Sequence, residues 1–488
     1  MKKLFTIFIL CIFSGISSSF AQIVVSQGIV ETNLDVSNAT TVAQVTLNAP
    51  ATGKVIVHFD GLCTSSVGDR IVLAASNTLD TWSSNDGNVN IEVPNTDQNS
   101  NSFSHTRVYD VTAGSHTFYA VVQNYVETDG SGLASIYGNL TAKFIPDGVS
   151  LVGFQGIAQA NVDLTNATTM GQVTINPTTS GKVIVRFDGM CIADVGDRIL
   201  LAASNTTAWG PNDGCVNVEA TDADVNRKPF SHTRVYDVTA GSQTFYAVAQ
   251  NYVETDGSGL ASIYGSLTAE FIPDGDFLVG FQGINSTNTD LTNETVVGQV
   301  TLNPTTAGKV IVHFDGKCLS DPGDRIVLAA SNTTSWETND GNIDVEAFDA
   351  DINSNCFSHT RVYDVTAGNQ TFYAIAHNFI EYDGSGIASV YASLTAEFIP
   401  NDNTAVENYL GENDLSIYPN PANDELYIEF PGYKNAHVKI TNTAGQLIQS
   451  FDLQHSKTKI NIGTFARGLY IVNIIGDQGS IIRKVIKE

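Results

Sequence analysis

The sequence predicts an all-β protein: three tandem antiparallel jelly-roll or β-sandwich domains, then a smaller β-sandwich at the C-terminus. Three observations predict it. Runs rich in Val, Ile, Thr, Tyr and Phe are broken by Gly, Asn and Asp turns, and helical spacing is absent. The twelve residues Phe-Ser-His-Thr-Arg-Val-Tyr-Asp-Val-Thr-Ala-Gly recur unchanged from Phe103, Phe230 and Phe357. Their step of 127 residues is far beyond the roughly 20 to 50 of a solenoid repeat, so each period is a whole domain.

A chain of 488 residues with 42% hydrophobic side chains can bury several cores. The expected organisation is a leader over 1–21, repeats over 22–148, 149–275 and 276–402, a linker over 403–411 and a last domain over 412–488. The formal charge is −27, and because acids and bases balance after residue 410, the repeats carry the acidity. Such a surface repels phosphate backbones and anionic membranes, so no nucleic acid is expected as a partner; divalent cations, neutral sugars and basic partners stay open. It also serves simply to keep an extracellular protein soluble.

Met1-Lys2-Lys3, the apolar run from Leu4 to Ile16 and the small-residue site Ser19-Phe20-Ala21 predict a secretory signal peptide cleaved before Gln22. No later apolar run reaches the ~20 residues that span a bilayer, so no membrane span is expected. Five cysteines would then meet an oxidising compartment. Cys63, Cys191 and Cys318 share one slot, and Cys215 and Cys356 are extra. The expected disulfides are Cys191–Cys215 and Cys318–Cys356, with Cys63 alone. Each would stabilise its module by roughly 3 to 4 kcal/mol through chain entropy.

Within the second repeat the strands are expected over 171–175, 182–188, 198–203, 216–219, 231–238, 244–251 and 261–271. Turns fall at Pro177 to Gly181, Asn212-Asp213-Gly214, Ala240-Gly241 and Asp256-Gly257-Ser258-Gly259, where Gly and Asn tolerate positive φ. Gly181 to Val185, Val238 to Gly241 leading into Thr244 to Ala247, and Ala261 to Leu267 resemble C1q/TNF-like jelly rolls. That resemblance implies recognition rather than catalysis. It also suggests that the three modules, joined by short connectors such as Phe144 to Phe154, pack as an internal pseudo-trimer.

In the invariant segment, period-2 alternation places His105, Arg107 and Tyr109 on one strand face, with His232, Arg234, Tyr236 and His359, Arg361, Tyr363 as copies. Guanidinium and aromatic groups in a row suit a sugar ring and its hydroxyls. The same row can equally be packing, with the arginine stem laid over the tyrosine and the histidine bonded to a loop. Asp222-Ala223-Asp224-Val225-Asn226 and Asp349-Ala350-Asp351-Ile352-Asn353 open like a calcium loop, but no Gly or bidentate Glu follows at the required places. Calcium is thus the one cofactor these loops could hold, and no other is expected. Glu127 and Asp129, with copies Glu254/Asp256 and Glu381/Asp383, form a further acidic loop that suits a solvated turn, a cation or an acid/base pair.

No Gly-x-Ser-x-Gly, His-Glu-x-x-His, Cys-x-x-Cys or phosphate-cradling glycine loop occurs, so no enzyme and no catalytic residue is expected. Copying a weak site raises avidity by orders of magnitude, whereas a catalytic site gains only by its number. The expectation is a secreted or cell-surface binding or adhesion protein for glycans or surface polymers. A structural coat or matrix protein, or a polysaccharide hydrolase, stands as the alternative.

The tail carries Leu415 to Ile428 with its Tyr418-Pro419-Asn420-Pro421, Val438 to Gln446, Phe465 to Val472 and the basic end Ile482 to Lys487. In this order they resemble the type A C-terminal sorting domain of type IX secretion cargo. The resemblance implies an Ig-like β-sandwich, a Bacteroidetes-type host, passage through the type IX translocon, and removal of the domain by a sortase-like peptidase. The product would be secreted or held at the outer-membrane surface.

Overall fold

The computed structural model describes residues 22–83, 87–93, 100–148, 151–209, 214–220, 227–253, 255, 257–275, 277–336, 341–346, 354–381, 384–401, 416–429, 436–442, 446–453, 457–476 and 479–488. The leader and the two calcium-like loops lie outside these residues. The chain divides into a unit over Met1–Asn401 and a unit over Asp402–Glu488.

The first repeat holds β1 (Ile23–Asp35), β2 (Thr40–Ala49), β3 (Gly53–Ser65), β4 (Arg70–Ser76), β5 (Val89–Glu92), β6 (Ser100–Val111), β7 (Gly114–Val126) and β8 (Leu133–Pro146). The second holds β9 (Leu151–Asp163), β10 (Thr168–Ile175), β11 (Gly181–Ala193), β12 (Arg198–Ser204), β13 (Val216–Glu219), β14 (Arg227–Val238), β15 (Gln243–Val253) and β16 (Leu260–Pro273). The third holds β17 (Leu278–Asp290), β18 (Thr295–Leu302), β19 (Gly308–Ser320), β20 (Arg325–Ser331), β21 (Ile343–Glu346), β22 (Ser354–Val365), β23 (Gln370–Ile380) and β24 (Ile387–Pro400). In each repeat two four-stranded sheets face each other, ordered β1-β8-β3-β6 and β2-β7-β4-β5 in the first. That is the jelly-roll strand order.

The seven strands expected in the second repeat are all present, and β9 is the one the pattern did not single out. Its residues are mostly half-buried or exposed, so it carries little hydrophobic alternation. Each sandwich closes on buried phenylalanines, with Phe59 and Phe103 meeting edge to face at 4.7 Å between centroids, as do Phe187 with Phe230 and Phe314 with Phe357. The inner strands β3 and β8 approach closely through the pair Gly61 and Gly138. A Cβ on Gly138 would stand 2.1 Å from the Asp60 carbonyl oxygen, which explains the small residue there.

The three sandwiches form a closed ring. Ser104 and Thr106 of β6 donate to Asp188 of β11 at 3.0 and 2.5 Å, and Ser231 and Thr233 of β14 donate to Asp315 of β19 at 2.8 and 2.9 Å. Ser358 and Thr360 of β22 then donate to Asp60 of β3 at 2.9 and 2.7 Å, returning the contact to its start. Equivalent residues of all three copies meet only on a rotation axis, and Lys143, Glu270 and Glu397 do so, the ammonium bonding both carboxylates. The modules thus pack as a pseudo-trimer within one chain.

The expected disulfides are absent: Cys63, Cys191, Cys215, Cys318 and Cys356 are all free thiols. Strand register explains it. Cys356 pairs across the ladder with Lys317, and Cys318 with Asn355, so the two thiols leave opposite faces of the sheet. Cys318 lies in the core of the third module, whereas Cys356 packs against the core of the second and donates to the Asn217 carbonyl at 3.4 Å. Cys191 likewise lies in the core of the second module, whereas Cys215, just before β13, is only partly buried and outside that core.

The tail unit is a separate small sandwich. Its sheets are β25 (Ser416–Tyr418), β26 (Glu425–Glu429) and β29 (Lys457–Asn461), and β28 (Leu447–Leu453), β27 (Ala436–Asn442), β30 (Gly468–Gly476) and β31 (Gly479–Lys487). Leu426, Ile428, Ile440, Val472 and Ile474 fill the space between them.

Candidate functional site

The repeated His/Arg/Tyr row is built as the alternation requires, with the histidines and tyrosines turned to the other sheet of their own module and the arginines at the seams. His105 is buried, and its Nδ1 accepts the backbone N–H of Ala75 at 2.9 Å, while the Tyr109 hydroxyl donates to the Ala75 carbonyl at 3.0 Å. His232 and Tyr236 hold Ala203 in the same way, and His359 and Tyr363 hold Ala330. These six groups clamp the two sheets of each sandwich together. The arginines reach across the seam: Arg107 lies over the ring of Phe154 at 4.9 Å, and Arg234 over Phe281 at 5.0 Å.

Arg361 meets a different surface. The residue of β1 in the slot of Phe154 and Phe281 is Ser26, and it is exposed. At the covered seams the arginine Nη1 stands 3.5 Å from where a Cβ on Gly156 would be and 3.6 Å from one on Gly283, whereas nothing comes within 4 Å of a Cβ on Gly28. Losing the ring leaves a cleft of about 700 Å³ between the third module and the first. Its walls include Arg361, Asp344 and Asn342 on one side and Tyr137, Thr64 and Leu62 on the other.

Asp344 gives the cleft its most distinctive group. At the neighbouring seam the same slot is Asn217, which is bonded by the Lys317 ammonium. Here Leu62 replaces the lysine, and the buried Oδ1 of Asp344 has no hydrogen-bond partner. Burial pushes the Asp344 carboxyl above the usual carboxylate range, Arg325 offsets this and Glu346 adds to it. A partly buried carboxylate, an amide, a guanidinium and a tyrosine around one hollow are suited to a polyhydroxylated ligand.

A second cluster lies on the axis. His58 of β3 and His313 of β19 stack edge to face at 5.2 Å, with Asp60 between the modules. One ligand atom from each of His58, Asp60 and His313 falls within 4.8 Å of the others, and all three residues are buried. The second module has Arg186 in the histidine slot.

The sequence-predicted row is therefore divided by the structure, and the loops contribute little to it. Asp129 is held by Ser66 at 2.6 Å and by the Ser131 N–H at 2.8 Å in an exposed turn. Asp222, Asp224, Asn226, Asp349, Asp351 and Asn353 lie outside the described residues. What the pattern missed is Ser26, Asp344 and the His58/His313 pair. The available signal was a departure from the repeat: serine for phenylalanine, aspartate for asparagine, and arginine between two histidines.

The Secretion system C-terminal sorting domain family matches residues 416–488. A stretch of 67 residues is 30% identical to Beta-agarase A of Zobellia galactanivorans, covering 14% of this chain and 12% of that protein. Among solved structures, PorZ, a surface component of the type-IX secretion system of Porphyromonas gingivalis, is similar at 19% identity over 22% of this chain and 14% of that one, with TM-score 0.14. PNGase F, a glycosylasparaginase of Flavobacterium meningosepticum, is similar at 11% identity over 52% of this chain and 97% of that one, with TM-score 0.26. The chain carries a type IX sorting domain and is exported to the extracellular space or the cell surface. Among the described residues no helix is long and apolar enough to cross a membrane.

Proposed function

We propose that this is a non-catalytic extracellular binding protein whose recognition site is the cleft of about 700 Å³ at the seam between the third and first modules. The observation that carries the reading is Ser26, which stands where phenylalanine closes the other seams over their arginines. The ligand is a glycan or polyhydroxylated surface polymer: Tyr137 supplies an aromatic face, while Arg361, Asn342 and Asp344 supply donors and acceptors. The tail engages the type IX machinery, and a sortase-like peptidase removes it after export.

A glycan array probed with the full chain tests this. Ser26→Phe refills the hollow and is expected to abolish a hit, as is Asp344→Ala, while Arg107→Ala at a covered seam leaves it intact. Binding that survives Ser26→Phe would move the site elsewhere. A structural coat protein is the second reading, favoured by the use of Arg107 and Arg234 for assembly at two of the three seams. An array blank for every glycan, together with ordered self-assembly of the full chain, would select it.

A further inference from the structure

We propose that His58, Asp60 and His313 bind one divalent transition-metal ion, which fastens the third module to the first. The argument begins with hydrogen-bond direction. The Thr106 hydroxyl donates its proton to Asp188 Oδ2 at 2.5 Å, so at its 2.8 Å contact with His58 Nδ1 it must accept. That fixes the proton of neutral His58 on Nδ1 and leaves the Nε2 lone pair facing Asp60 Oδ2 at 3.2 Å. His313 repeats this. Thr360 donates to Asp60 Oδ2 at 2.7 Å and accepts from His313 Nδ1 at 2.7 Å, which leaves the Nε2 lone pair 3.4 Å from Asp315 Oδ2. Both Nε2 atoms are buried and have no hydrogen-bond partner.

A lone pair aimed at a carboxylate is repulsive unless a positive charge stands between them. In the second module that charge is permanent, because Arg186 fills the slot. Asp60, Asp188 and Asp315 are each 1% exposed, and Arg186 is the one permanently charged side chain among the three histidine-slot residues. A divalent ion between the two imidazoles and Asp60 brings this layer to neutrality, which a buried cluster requires.

The copies also differ in a way that selects Asp60. Asp188 Oδ1 accepts the Ser266 hydroxyl at 2.7 Å, and Asp315 Oδ1 accepts the Ser393 hydroxyl at 2.5 Å. In the first module Asn139 stands in that serine slot, and its amide donates instead to Thr141 Oγ1 and to the Thr360 carbonyl, each at 3.2 Å. Asp60 thus lacks the serine donor that its counterparts have. Two imidazole nitrogens and a carboxylate oxygen form a set that suits Zn²⁺ and its borderline-soft neighbours rather than calcium, which prefers oxygen alone.

The position gives the ion its role. Short connectors join the first module to the second and the second to the third, but the third meets the first only through non-covalent contacts. His58 and Asp60 belong to the first module and His313 to the third, so the ion ties the seam that the backbone leaves open.

The test uses the full chain stripped with chelator, then given Zn²⁺ or Co²⁺. About one ion per chain is expected to survive desalting, and the midpoint of thermal unfolding should rise with free metal, as linkage requires. The Co²⁺ form should show d–d absorption without the thiolate charge-transfer band, which separates this site from cysteine ligation. His58→Arg and His313→Arg place the guanidinium of the second module in the vacated slot; they are expected to fold and to bind no metal. The proposal is overturned if the wild-type chain retains neither ion, if the bound Co²⁺ is thiolate-ligated, or if the arginine variants bind as tightly as wild type. Should those variants fail to fold, the wild-type stoichiometry and Co²⁺ spectrum decide alone.

Discussion

Single side chains decide which seam is closed. Phe154 and Phe281 cover the arginines of the first two seams, and Ser26 leaves the third open. Phe154→Ser should therefore create a second cleft and cost about 1 to 2 kcal/mol, the loss of a half-buried ring and its cation contact. A denaturant titration of the variant against wild type reads that cost. Glu270 governs a different response. Burial pushes its carboxyl up to about 7, with Glu397 adding and Lys143 opposing, from an ordinary value of 4.5. The folded chain then holds this proton more tightly than the unfolded chain. The stability it lends is complete below about pH 4.5 and is lost as pH rises through about 7. Thermal melts should show a falling midpoint across that window, and Glu270→Gln should flatten the fall.

At the scale of strands, the inter-module contacts are ladders of hydroxyl donors on buried acids. Asp188 accepts from Ser104, Thr106 and Ser266. Asp188→Ala strands these hydroxyls in a dry seam and should destabilise the ring by about 3 kcal/mol or more. Alternation also governs the thiols. Burial pushes the Cys318 and Cys356 thiols up to about 12, so alkylation of the native protein near neutral pH should be slow at both. On unfolding without reductant, Cys63, Cys191, Cys215, Cys318 and Cys356 should all react, and protection of any pair would mean that a disulfide had formed.

These elements show where sequence reading holds and where it stops. Strands with two-sided alternation, such as those near Val216 and Thr244, are legible because one face is core. β9 is not, since an edge strand packed against another module carries little apolar pattern. Period two puts His105, Arg107 and Tyr109 on one strand face. Which object it faces is set by the rotation relating the modules, and no local pattern encodes that rotation. The disulfide expectation failed for a related reason: proximity along the repeat ignores which side of a sheet each sulfur leaves. Departures between copies, such as Ser26 or Arg186, stand in the sequence, but their effect depends on which seam each one faces.

For the whole molecule, the ring and the tail each possess a core of their own. Calorimetry should resolve two transitions, one for the unit ending at Asn401 and one for the sorting domain. Deleting residues 402–488 should remove the second without moving the first. A ring midpoint that shifts with this truncation would mean that the units are energetically coupled.

The ring has no covalent bond between its last module and its first, and this has a bearing on assembly. A chain that springs open there presents the same acceptor surface that its own third module left, so the third module of a neighbouring copy can dock in its place. Refolding at high concentration should accordingly yield an exchanged dimer with native seams, which dilution resolves only as fast as the rings reopen.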